Sequence, residues 1–175
     1  MRRAALERMG GVAAIAGELI DDCALARAVK RGGGRVWLGL DPGTVSIREY
    51  GSFAEIGRMI SRTAFTQLHH SYLLLAGTVA GMCATFLLPP VLALAGPGPA
   101  RAVGAGAWLL MSVASLPALR YYRRPALWAP LLPLAAAFYV AATVHSAWCW
   151  RRGTGGQWKG RVQDQAKSIR VVTKT

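Results

Sequence analysis

An adjacent pair of carboxylates, Asp21-Asp22, is the densest group of side chains in this sequence that could carry out chemistry. The pair opens a predicted helix over residues 22–31, and Gly32-Gly33-Gly34 marks its end. Two carboxylates at a helix start can serve as a general base or hold a metal ion. They can also cap the helix and complement its dipole. The residues alone favour capping over catalysis.

The middle of the chain has the composition of a membrane region. No Asp or Glu occurs between Glu55 and Asp164. A water-exposed surface of that length would need charged residues of both signs, whereas the interior of a bilayer excludes them. The sequence therefore predicts a membrane region at residues 71–150. It predicts about three transmembrane helices there, at about 72–95, 102–119 and 126–148.

Positive charge flanks these apolar segments. Of the 21 Lys and Arg residues, ten precede residue 71, four lie within the membrane region and seven follow Cys149. This distribution indicates contact with anionic lipid headgroups, so we expect membrane lipid as a partner and no nucleic acid. The three Arg between the second and third apolar segments also predict that the N-terminal part faces the cytoplasm. We expect the membrane to be a bacterial inner (cytoplasmic) membrane. Three simple crossings would place the basic tail on the opposite side, which leaves a re-entrant segment or a Pro-broken first helix as alternatives.

The remaining segments give a coarse domain plan. Residues 1–52 form an N-terminal piece with predicted strands at 35–40 and 45–50. Residues 53–70 contain an amphipathic helix, which could lie in the membrane interface or pack as an ordinary surface helix. Residues 151–175 form a basic tail. The three cysteines are too widely spaced to indicate a disulfide framework or a metal site.

The acidic pair lies within a longer stretch that resembles a known family. GELIDDCALARAVKRGGGRVWLGL, residues 17–40, resembles the third-aspartate region of family 2 glycosyltransferases. RMISRTAFTQLHHSYLLLAGT, residues 58–78, and the tail motif GGQWKGR, residues 155–161, resemble the hopene-associated, membrane-bound members more narrowly. The order of these motifs along the chain supports the resemblance more than any one of them does.

This resemblance implies a fold and a set of functional residues. The implied fold is an α/β remnant of a GT-A-type glycosyltransferase domain, with 1–52 as its C-terminal part, followed by the α-helical membrane region. The implied reaction is an inverting sugar transfer in which Asp22 is the catalytic base. Asp21 holds the first position of the acidic pair and is assigned by similarity to substrate binding. By similarity, further substrate-binding residues are Arg62 on the amphipathic helix and Trp158, Lys159 and Arg161 in the tail. On the residues alone, Arg62 could equally bind phospholipid.

The resemblance also implies partners and a cofactor. A nucleotide-sugar donor and a lipid acceptor, with a link to hopanoid metabolism, are the expected substrates. A divalent metal, Mg²⁺ or Mn²⁺, is expected for the full-length family enzyme, whose main metal site has no counterpart in this sequence. We therefore expect a truncated gene, a late start codon or a split gene, the last implying a separately encoded N-terminal half as partner. The alternative function is a non-enzymatic membrane anchor or scaffold with a basic, lipid-binding face.

Overall fold

A computed structural model describes residues 2–16, 18–41, 43–44, 47, 50–158 and 161–162 of the chain. These residues belong to two compact units. The first unit comprises Met1–Asp41 together with Gly156–Thr175, and the second comprises Pro42–Gly155.

The first unit consists of short helices and one small hairpin. Helix α1 spans Arg3–Arg8, a 3-10 turn spans Val12–Ile15, and helix α2 spans Asp21–Arg31. The predicted helix over 22–31 therefore forms and begins one residue earlier. It ends where Gly33 takes a φ of 72°, a backbone conformation that glycine adopts without strain. Strands β1, Gln157–Trp158, and β2, Arg161–Val162, pair in antiparallel register.

The predicted α/β remnant of a GT-A-type domain is wrong. Residues 35–40, predicted as a strand, form no strand, and Trp37 and Leu38 are 86% and 96% exposed. A strand is stabilised by hydrogen bonds to a neighbouring strand, and the described residues provide none for this segment. Their one sheet is the hairpin of β1 and β2. The second predicted strand, 45–50, lies mostly outside the described residues.

The second unit contains the three helical segments that the composition predicts. Tyr72–Ala95, Gly98–Tyr121 and Ala126–Arg151 are each long and apolar enough to cross a membrane, which confirms the prediction of about three such helices. The second segment extends beyond its predicted limits at both ends. The third consists of a 3-10 turn, Ala126–Leu131, and helix α7, Leu132–Arg151.

The first apolar segment stays helical through its two adjacent prolines. It comprises α4, Tyr72–Met82, a π-helical turn, Cys83–Leu87, and α5, Leu88–Ala95. Pro89-Pro90 falls in the first turn of α5, where a missing amide hydrogen costs least. The wider π turn immediately before the prolines changes the hydrogen-bond ladder where their rings would clash with it. The chain therefore has no break at Pro89-Pro90, and the α-helical hydrogen bonding is interrupted by the π turn just before them.

The predicted amphipathic helix forms as α3, Phe53–Gln67. Ser52 starts it, because its hydroxyl accepts a hydrogen bond from the Glu55 amide at 3.3 Å. The apolar face of α3 packs along α7, with Phe65 only 2% exposed. The location of the opposite face in the membrane interface remains a prediction.

Helix α6, Gly98–Tyr121, approaches α5 closely at Gly104. A Cβ atom at Gly104 would lie 2.6 Å from Cβ of Leu92 and 2.8 Å from the Pro89 carbonyl oxygen. The absence of a Cβ atom at Gly104 is what permits the two helices to pack this closely. Further along α6, the indole Nε1 of Trp108 donates a hydrogen bond to the Pro130 carbonyl at 3.0 Å. Trp108 therefore links α6 to the 3-10 turn that precedes α7.

Candidate functional site

The predicted catalytic pair lies on the first turn of α2, with both carboxylates exposed. Asp21 Oδ1 accepts a hydrogen bond from the Asp22 amide at 3.0 Å. Asp22 Oδ1 accepts one from the Cys23 amide at 2.7 Å. The carboxylates thus bind amide hydrogens that a helix start leaves without intrahelical partners. Asp22 Oδ2 makes no hydrogen bond to another described residue, so one oxygen of this carboxylate can still accept a proton from a ligand.

The acidic pair does not form a metal site with the other described residues. Among those residues, no group of three or more His, Cys, Asp or Glu side chains comes together. A divalent cation such as Mg²⁺ takes six oxygen ligands, and two adjacent carboxylates with one oxygen each engaged by an amide are a poor start for such a shell. The described residues therefore do not fit the divalent metal that the resemblance implies.

The other predicted site residues are distributed over both units. Trp158 and Arg161 are paired residues of the β1–β2 hairpin in the first unit, and Lys159 lies outside the described residues. Arg62 belongs to α3 in the second unit, where it is half-buried. The structure thus brings Asp21 next to Asp22, and Trp158 next to Arg161. The roles assigned to all these residues by resemblance remain predictions.

A polar cluster that the sequence did not reveal joins α3 to α7. The Ser61 hydroxyl donates a hydrogen bond to the Ala142 carbonyl at 3.0 Å, and His145 Nδ1 lies 3.2 Å from the same hydroxyl. Cys149 Sγ lies 3.6 Å from His145 Nε2. Because the Ser61 proton is directed to Ala142, its oxygen is left to accept the Nδ1 proton of His145. The cluster provides hydrogen-bond partners for polar groups between the two helices. The four-residue spacing of His145 and Cys149 is the one signal in the sequence that could have indicated it.

A second contact lies at the C-terminal ends of α3 and α7. The ring of His70 lies against the ring of Trp150, with centroids 4.2 Å apart, and His70 Nε2 lies 3.3 Å from the Thr66 hydroxyl. Burial, with a smaller effect from the neighbouring His69, lowers the pKa of His70 below its usual value. The neutral imidazole is therefore the form favoured in this packing.

Comparison with known proteins identifies the family. The sequence model of glycosyl transferase family 21 matches residues 1–161, which includes the whole second unit, most of the first and all three apolar helices. The chain belongs to glycosyl transferase family 21. No curated protein and no solved structure matches it.

Family membership confirms part of what the motifs suggested. A glycosyltransferase family implies a nucleotide-sugar and an acceptor as substrates, and the three apolar helices indicate a membrane protein. The family matched is family 21, whereas the motifs had suggested the hopene-associated group of family 2. That narrower resemblance remains a prediction.

Proposed function

We propose that this chain takes part in transferring a sugar from a nucleotide-sugar donor to a lipid acceptor at a membrane. The observation that carries the proposal is one polypeptide in which a match to a glycosyltransferase family extends across three membrane-capable helices. An acceptor dissolved in the bilayer would explain why these helices belong to the same chain as the proposed catalytic pair. A hopanoid lipid is the acceptor class to test first, on the strength of residues 58–78 and 155–161.

The proposed reaction assigns the base to Asp22. An acceptor hydroxyl attacks the anomeric carbon, the bond from that carbon to the nucleotide diphosphate breaks, and the hydroxyl proton passes to Asp22. A carboxylate suits this step because the hydroxyl becomes strongly acidic only as the new bond forms. The amide hydrogen bond to Oδ1 orients the carboxylate, and Oδ2 is the oxygen that would take the proton.

Arg62 and the tail residues are proposed to bind substrate. Guanidinium groups bind phosphate oxygens with paired, charge-assisted hydrogen bonds, which suits Arg62 and Arg161 to a nucleotide diphosphate. Lys159 would add a further positive charge, and Trp158 an aromatic surface for an apolar or sugar ring. Asp21 would help to bind the substrate next to Asp22. The cytoplasmic face of a bacterial inner membrane is the proposed location of this chemistry.

A deletion at the native locus tests the proposed function. The codons for this chain are removed in the organism that encodes it, and the membrane lipids are compared by mass spectrometry. We expect at least one glycosylated lipid to disappear, to return with the wild-type chain and not to return with Asp22→Asn. The matched control is Glu18→Gln, which changes an exposed acid just before α2 and should restore the lipid. An unchanged lipid profile after deletion would contradict the proposal and favour the anchor or scaffold alternative.

A further inference from the structure

The chain enters and leaves its apolar region at the same end of the helix packing. His70, two residues before α4, contacts Trp150, one residue before the end of α7. Tyr72, the first residue of α4, lies against Phe65 with ring centroids 5.1 Å apart. The Phe65 amide in turn donates a hydrogen bond to the buried Ser146 hydroxyl of α7 at 3.1 Å. The start of the first apolar helix and the end of the last are therefore neighbours.

Between these two ends, the chain leaves α6 and later returns to nearly the same point on that helix. Gly104 of α6 packs against Pro89 and Leu92 of α5. Four residues later, Trp108 binds the carbonyl of Pro130, just before α7 begins. Residues 109–129 therefore run away from Trp108 of α6 and then come back beside it. Because they start and finish at the same depth, α7 begins at the depth of Trp108. From there α7 runs to the end of the packing at which α4 begins.

The contact between the start of α4 and the end of α7 limits the number of membrane crossings. An odd number would separate the start of α4 from the end of α7 by the apolar thickness of a bilayer, about 30 Å. The 4.2 Å separation of the His70 and Trp150 rings is incompatible with that distance. We infer that residues 71–150 make an even number of crossings, so that they enter and leave on one membrane face, and that this face presents basic residues to anionic lipid headgroups.

The directions of the helices determine which basic residues lie on the inferred face. Pro89 and Gly104 lie at similar sequence distances from the turn at Gly96-Pro97, as expected for antiparallel helices. Helix α6 therefore runs back from that turn, and its 24 residues reach about 36 Å, enough to recross the bilayer. It ends in Arg120-Tyr121-Tyr122-Arg123-Arg124.

At the end of α7, the Arg152 guanidinium lies 3.9 Å above the Trp148 ring, an arrangement suited to the headgroup layer. The inferred face thus gathers the arginines at the ends of both α6 and α7. Of the four arginines within the membrane region, Arg101 alone is assigned to the opposite face. This arrangement satisfies the preference of basic residues for the leaflet with anionic lipids, which three simple crossings would violate.

Single-cysteine labelling of the full chain tests this topology. In a background with the three native cysteines changed to alanine, a cysteine is placed at one exposed position at a time: Gln67, Pro97, Tyr122 or Thr154. Sealed membrane vesicles of both orientations are treated with a membrane-impermeant maleimide. Variants whose melting temperature in detergent equals that of the background are compared.

We expect Gln67→Cys, Tyr122→Cys and Thr154→Cys to be labelled in one vesicle orientation, and Pro97→Cys in the other. Labelling of Thr154→Cys and Gln67→Cys from opposite sides would overturn the even number of crossings. Labelling of Tyr122→Cys from the same side as Pro97→Cys would overturn the shared basic face. Neither result bears on glycosyl transfer, so the topology and the proposed function can fail separately.

Discussion

The Ser61 hydroxyl donates a hydrogen bond to the Ala142 carbonyl and thereby joins two helices that lie 81 residues apart in sequence. One helical turn further on, the Phe65 amide donates to the Ser146 hydroxyl, which is fully buried. The two bonds repeat at steps of four residues on both helices, so α3 and α7 run parallel along this contact. These polar contacts hold the amphipathic helix against the last apolar helix.

Removing either hydroxyl is expected to weaken the contact between α3 and α7. Ser61→Ala or Ser146→Ala should each lower the free energy of unfolding by about 1 kcal/mol, the usual net value of an intramolecular hydrogen bond. Unfolding of the purified protein in mixed detergent, followed by circular dichroism, measures the change. Ser112→Ala is the matched control, because Ser112 bonds to the Trp108 carbonyl within its own helix. Equal losses in all three variants would contradict the interhelical role.

Glycine at position 104 is required by the distance between α5 and α6. Gly104→Ala places a methyl group within 2.7 Å of the Ala93 backbone nitrogen, which a flexible side chain cannot relieve. We expect a loss of about 1–3 kcal/mol in unfolding free energy, the typical cost of overpacking. Gly106→Ala, two residues further on, meets no atom within 4 Å and should be neutral or slightly stabilising. Similar melting temperatures for the two variants would show that α5 and α6 do not pack at Gly104.

The contact of His70 with Trp150 should make the second unit sensitive to acid. Because burial lowers the pKa of His70 in the folded chain, the unfolded chain binds more protons at mildly acidic pH. Stability from the neutral imidazole is therefore fully present above the usual histidine pKa of about 6.5 and is lost as pH falls through the lower folded value. Melting temperatures between pH 7.5 and pH 5 should decline less in His70→Gln than in wild type. Parallel pH profiles for wild type and His70→Gln would contradict the assignment.

The proposed role of Arg62 predicts a kinetic defect of a particular kind. Loss of a hydrogen bond to a charged group costs about 1.5–3 kcal/mol, so Arg62→Ala should weaken donor binding by about ten- to a hundred-fold. Initial rates of transfer in isolated membranes, at varied nucleotide-sugar concentration, should show a raised KM for the donor. Arg58→Ala, one turn earlier on α3 and exposed, should leave that KM unchanged. An unchanged KM with weaker membrane attachment would instead favour the phospholipid-binding role.

The sequence predicted the elements whose signal is local. The absence of acids between Glu55 and Asp164 located the membrane region, and α2 and α3 follow from capping residues and helical periodicity. The error at residues 35–40 has a physical origin. These residues have the composition of a strand, but a strand forms only with a partner, and composition does not supply one. In the same way, the bond from Trp108 to the carbonyl of Pro130, 22 residues away, has no local signal in the sequence.

Contacts between distant helices could not be predicted from the sequence. Nothing in the periodicity of α3 specifies α7 as its partner, and a serine gives no sign of which carbonyl it will bind. The candidate site shows the same limit. Asp21 and Asp22 were found because they are adjacent, whereas the cluster of Ser61, His145 and Cys149 needed the packing of two helices. The crossing number was left open by charge counting, and the contact of His70 with Trp150 provided the missing constraint.

The central claim is that this chain supplies the base for sugar transfer to a lipid, and Asp22→Asn tests it most directly. The asparagine keeps the size of the side chain and an oxygen that can accept the Cys23 amide, but it cannot take up a proton. The measurement is the rate of glycolipid formation in membranes of the native organism that carry wild type, Asp22→Asn or Glu18→Gln at equal chain abundance. We expect a loss of about 10²- to 10⁴-fold for Asp22→Asn, the usual contribution of a general base, and wild-type rates for Glu18→Gln. A wild-type rate in Asp22→Asn would contradict the claim.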